Sequence, residues 1–181
     1  VAGRRGVIIV EFLFVMPLLF IQLLAIFEFV FIGIVTEAVT SAAVIGAREA
    51  ALSYPDGFPF DNGGTDPSEN NDIADRVALR LEQALAVVNL EVRPVNSTRA
   101  NAFVLVTRNT VDAKRGDQTL DRPHLGATPV AGEAVVTICL PLVDTSVPSS
   151  SLGNPVPNWL APVGFSLASK RIRVTARAPL E

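Results

Sequence analysis

Residues 4–35 read RRGVIIVEFLFVMPLLFIQLLAIFEFVFIGIV. From Val7 to Val35 the run holds 29 residues, interrupted only by Glu11, Gln22 and Glu28. A spanning helix needs about 20 mostly apolar residues at about 1.5 Å rise each, so the segment is long enough to cross a bilayer and continue beyond it. Arg4 and Arg5 stand just before it, and the next basic residue is Arg48. Positive-inside asymmetry then places the N-terminus in the cytoplasm and residues 54–181 outside. A cleavable secretory signal is the competing reading, with the small residues of 38–51 as its cleavage region. Its apolar core would span about 7–15 residues, and this run is about twice that. A buried core helix would need a comparable apolar run elsewhere to cover it, and the chain has none.

The rest of the composition fits an anchored domain. The chain has 181 residues and a mass of 19.3 kDa, is 49% apolar and only 18% charged, and has a mean hydropathy of +0.40. So apolar a chain is not intrinsically disordered. A net charge of −3 and a pI near 5.2 argue against a nucleic-acid partner. One cysteine and one histidine exclude an intramolecular disulfide and a Cys/His zinc cage.

Within the run, an acidic residue near the bilayer centre costs about 2.5–3.5 kcal/mol. Glu11, five residues after the arginines, can sit near an interface. Glu28 lies deeper and calls for a protein partner or a bound proton. Pro17 removes one backbone donor and crowds the carbonyl of Leu13, which predicts a kink or local melting near residues 13–17. From Ala38 the helix changes character. Ala38, Ala42 and Gly46 are spaced by four, as are Ala43, Ala47 and Ala51, and small residues at that spacing let helix backbones approach closely. The stripe suits either packing between subunits or packing against the chain's own domain. One helix from near Val7 to Leu52 is expected, ended by Tyr54-Pro55-Asp56-Gly57.

Residues 54–71 read as a turn-rich linker. Its Asp61, Asn62, Asp66 and Glu69 lack the spacing of a calcium loop. Asp72 begins a second helix with Asp75 three places on, a partial capping box. Ile73, Val77, Leu81, Ala84, Leu85 and Val88 form its apolar face, and Arg76, Arg80 and Gln83 its polar one, over about five turns. Strands are expected at 102–107, 133–142 and 171–177, and weakly at 90–95, from apolar runs and period-two alternation. Long loops are expected at 109–131 and 144–163. Residues 72–181 therefore make an α+β domain, one amphipathic helix on an antiparallel sheet.

The domain shows no catalytic constellation, metal-ligand set or cofactor motif. His124 reads as a surface histidine and Cys139 as a buried thiol, with an intermolecular disulfide left open. Gly164-Phe165-Ser166 echoes a nucleophile elbow but lacks the strand–turn–helix and paired base. Asn96-Ser97-Thr98 is a sequon, and Trp159, between Pro157 and Pro162, reads as a loop anchor.

Arg4-Arg5-Gly6-Val7, with Glu11 five places after Gly6 and an unbroken apolar run behind it, has the layout of a prepilin-type processing signal. Val10-Glu11-Phe12, Pro17, Glu28 and the Ala42–Ala51 stretch resemble TadE-like proteins, the pseudopilins of the bacterial tight-adherence (Flp/Tad) system. In this chain Ile45 and Gly46 interrupt the family's Ala-Ala-Arg-Glu order. The resemblance covers about residues 3–52. It implies cleavage between Gly6 and Val7 by a membrane-embedded prepilin peptidase, leaving residues 1–6 as a leader remnant. It also implies partners among other pilin subunits and the Tad assembly platform, an inner-membrane location, and a place in an extracellular pilus after assembly. The new Val7 amine would pair with Glu11 to set register between subunits, and Glu28 would make a second polar contact in the bundle. The chain is larger than a major Flp pilin, so the family reading is a minor, structural subunit without enzymatic activity. The alternatives are an uncleaved single-pass anchor whose outer domain binds a protein or envelope polymer, and an anchored enzyme, which the residue inventory disfavours.

Overall fold

The computed structural model describes residues 3–53, 58–61, 72–88, 90, 92, 101–124, 128–143 and 155–181. Helix α1 (Gly3–Ala51) is 49 residues long and continues through Pro17 without ending there. Local melting at residues 13–17 is therefore absent: the proline lacks one donor, but helix on both sides holds the turn. The two halves of α1 differ sharply. From Val10 to Phe27 its large apolar side chains are mostly exposed; from Glu28 one face is buried, through Val35, Val39, Ala42, Ala43, Ala47 and Ala50. These positions recur at steps of three and four, as one helix face requires. The far end of the chain is tied to the end of α1, where Glu181 N donates to the Ala51 carbonyl (3.2 Å) and Ser53 Oγ to the Glu181 carbonyl (2.6 Å).

Helix α2 (Ile73–Leu85) begins at Asp72, whose carboxylate accepts from Asp75 N at 2.6 Å. The carbonyls of Pro59 and Phe60 accept from Ile73 N and Ala74 N at 3.1 Å each. Three donors left over at the helix start are thus satisfied. The helix is shorter than the expected five turns because Ala86–Val88 tighten into a 3-10 turn, a common way to close a helix. Ile73, Val77, Leu81 and Leu85 are buried while Arg76, Arg80 and Gln83 face outward or lie at the rim.

Four antiparallel strands follow: β1 (Phe103–Arg108), β2 (Val111–Gly116), β3 (Glu133–Pro141) and β4 (Arg171–Pro179), in sheet order β2-β1-β3-β4. The architecture is α+β, with both helices on one face of the sheet. Val104, Val106, Ala134, Val136, Ile138 and Leu140 point into the layer between helices and sheet. Phe103, Leu105, Leu120 and Cys139 form a small second cluster on the other face. The loop expected at 109–131 contains β2. Asn109 (φ 50) and Thr110 (φ 69) turn the chain in two residues, the tight geometry that suits a hairpin. Period-two reading missed this strand because only Ala113 and Arg115 of its middle face inward and both neighbours are charged. At 90–95, Leu90 and Val92 are buried but carry no strand, and the other positions lie outside the described residues.

Candidate functional site

The first half of α1 carries a long exposed apolar surface. Val10, Phe12, Leu13, Phe14, Leu18, Phe20 and Ile26 are all at least half exposed, with no domain over them. The residues Val7–Phe27 number 21 and rise about 32 Å at about 1.5 Å each, against a hydrocarbon core of about 30 Å. The helix is long and apolar enough to cross a membrane once. Glu11 stands exposed on this half. The Gly6–Val7 bond lies in the first turns of α1.

Glu28 closes the bare half. It is 1% exposed, and its Oε1 accepts from the backbone N of Leu160 at 2.7 Å. Its Oε2 has no partner among the described residues. Leu160 leads into the 3-10 turn Ala161–Val163, which has no side-chain cap of its own. A carboxylate from 132 residues away in sequence therefore holds the backbone N–H of the residue that opens the turn. The turn is also held internally: Val163 N donates to Leu160 O (3.0 Å), Gly164 N to Ala161 O (3.1 Å) and Phe165 N to Leu160 O (3.2 Å). Gly164, at φ 93, supplies the left-handed residue that ends it. Two ring contacts join this turn to α1: Phe29 with Phe165 at 6.5 Å, and Phe31 with Trp159 at 5.9 Å, edge to face. Trp159 is thus the loop anchor its proline neighbours suggest. Ser166 follows this turn and accepts from Ala168 N at 3.2 Å, far from any strand–turn–helix elbow.

The small-residue stripe packs within the chain. Ala42, Ala43, Gly46, Ala47 and Ala51 are buried and Ala38 is half-buried. A Cβ on Gly46 would lie 2.8 Å from Leu81 Cδ2, so glycine there lets α1 and α2 meet closely. The exposed positions Val44 and Ile45 lie on the opposite side, beside an open groove against Arg177–Pro179.

Two polar constellations escaped the sequence reading. Arg115 on β2 is buried among three carboxylates: Nε donates to Asp75 at 2.7 Å, and Nη2 to Asp72 and Asp61 at 3.1 Å each. Desolvation raises the Asp75 pKa, opposed by the Arg115 hydrogen bond and charge. Burial pulls the Arg115 pKa down, but the bonds to Asp75 and Asp61 outweigh it and hold the guanidinium charged. This cluster staples β2, the start of α2 and the 58–61 segment together. On the outer face of the sheet runs a row of hydrogen bonds through His124. Nε2 meets Thr107 Oγ1 at 2.6 Å, Nδ1 meets Thr137 Oγ1, Thr137 meets Thr175 at 2.8 Å, and Thr107 donates to Asp112. One direction satisfies every member: Thr175 to Thr137, Thr137 to Nδ1, Nε2–H to Thr107, Thr107 to Asp112. That assignment makes His124 the neutral Nε2–H tautomer. Burial lowers its pKa, opposed by Asp112 and assisted by Arg177. His124 is therefore a structural tie between strands, with both ring nitrogens engaged. Cys139 is buried beside Leu120, and desolvation raises its pKa, which disfavours the reactive thiolate. Of the oxygen-bearing residues weighed as a calcium loop, Asp61 serves Arg115; Asn62, Asp66 and Glu69 lie outside the described residues, as does the 96–98 sequon. No protein-family model matches the chain, and no curated protein or solved structure does either.

Proposed function

We propose that the chain is a structural assembly subunit, a TadE-like pseudopilin or minor pilin of a Flp/Tad-type pilus or secretion system. It sits in the inner membrane, N-terminus in the cytoplasm, and is processed after Gly6. The observation that carries this reading is the division of one continuous helix. Its first half is a bare apolar rod headed by Arg4-Arg5-Gly6 with Glu11 behind; its second half is clasped by an α+β domain. A rod of this kind can exchange lipid contacts for contacts with neighbouring rods without unfolding the domain, which is what extraction into a filament demands.

Cleavage would remove both arginines and leave a cationic amine on Val7, four residues from Glu11. Residues four apart share a helix face, and an amine–carboxylate pair offsets part of the membrane cost of Glu11. Partners on this reading are prepilin peptidase, other pilin subunits and the Tad assembly platform; no catalytic role is assigned. Glu11→Ala is expected to leave cleavage intact and to reduce recovery of the subunit in sheared filaments. Undiminished incorporation would contradict the pairing. A second reading, an uncleaved anchor displaying its domain to a protein or envelope polymer, is favoured by the use of Glu28 and the small-residue stripe within one chain.

A further inference from the structure

We propose that the turn at residues 158–165 is a membrane-contact element, seated in the interfacial layer of the leaflet from which α1 emerges. This rests on α1 crossing the bilayer. The turn carries apolar side chains that the fold leaves uncovered: Trp159 is 46%, Val163 54% and Phe165 45% exposed. Phe165 and Trp159 pack against Phe29 and Phe31 of α1, themselves exposed, so the patch is continuous with the bare half of the helix. No charged residue occurs between Pro155 and Ser169. Its height fits as well. If Val7 marks one edge of the hydrocarbon, about 30 Å of rise ends near Phe27, and the turn is bonded to the next residue, Glu28. A tryptophan with an apolar body and a polar N–H suits that depth.

Glu28 gains a purpose in this arrangement. A carboxylate at the outer rim, bonded to Leu160 N, holds the turn flush with the helix exit. The result is an aromatic collar that fixes how deeply α1 sits and stops the domain from tilting away from the membrane.

Trp159 is the sole tryptophan, so the intact chain reports on itself. The full-length protein is reconstituted in phosphatidylcholine vesicles whose acyl chains are brominated either near the headgroup or near the chain ends. Insertion is checked by resistance to carbonate extraction. The expected result is loss of most Trp159 emission with the shallow label, much less with the deep one, and weak quenching by aqueous iodide. Phe165→Asp, which gives up the ring contact with Phe29 but changes no residue of α1 or the sheet, is expected to reduce lipid quenching and increase iodide quenching while the protein stays carbonate-resistant. Free iodide access and no lipid quenching in an inserted wild-type chain would overturn the collar and turn the patch over to a protein partner. A chain released by carbonate would overturn the anchor and the collar together.

Discussion

Replacing Arg115 by methionine tests the domain's internal staple. The guanidinium is 4% exposed, and the side chains of Asp72 and Asp75 are 0% and 2% exposed. Methionine fills much of the same volume but leaves two carboxylates buried with no countercharge. Removing one partner of a buried pair costs about 3–5 kcal/mol. Asp72 keeps its bond from Asp75 N, which favours the lower half of that range. Hydrogen exchange of the amides of α2 and β2 reads the change directly, since about 1.4 kcal/mol is a factor of ten. Protection in both elements should fall by about two to three orders of magnitude. Asp75→Asn behaves differently, because the amide oxygen still accepts from Arg115 Nε while the desolvated charge is gone. Its cost should stay below about 1 kcal/mol. The pH sign follows from the raised pKa of Asp75. Its contribution is fully present below the ordinary value of 3.8 and declines as pH rises through the raised one, so Asp75→Asn should remove that slope. Equal and small losses from Arg115→Met and Asp75→Asn would refute the reasoning, since the cluster would then be open to water.

Other outcomes follow from single contacts. Gly46→Leu drives a side chain into Leu81, where a Cβ alone already comes within 2.8 Å. Overpacking of about 1–3 kcal/mol, less about 1 kcal/mol for replacing a helical glycine, should lower the urea midpoint of the monomer in detergent. A raised midpoint, the helix-propensity gain with no clash to offset it, would mean the stripe does not pack within the chain. Glu28→Ala strands the buried Leu160 N–H at a cost of about 1–3 kcal/mol, and exchange at that amide should quicken, whereas Glu28→Gln keeps an acceptor and should retain protection. His124 has a lowered pKa, so its contribution is present above the ordinary value of 6.5 and is lost as pH falls through the lowered one. Acidification should therefore loosen β1 and β3 in hydrogen exchange, and His124→Gln should flatten that dependence.

The long helix was legible because 29 apolar-dominated residues leave few alternatives. The apolar face of α2 and the inward residues of β3 and β4 were legible from period alone. What escaped was long-range pairing among polar residues. Nothing near Glu28 in sequence points to Leu160, so the place where the domain meets the bare helix could not be read. Arg115 looked like a loop charge because β2 is a polar edge strand, and its three aspartates each had a local explanation as a turn or cap. His124 looked like a surface residue because its partners, Thr107 and Thr137, come from two strands that only the folded register brings together.

The most direct test of the assembly account is the mature amino terminus, measured by mass spectrometry on protein from native membranes and from sheared filaments. A chain beginning at Val7 in both fractions is the expected result. A chain that still carries Arg4 and Arg5 and is found only in membranes would contradict it, leaving a single-pass anchored domain.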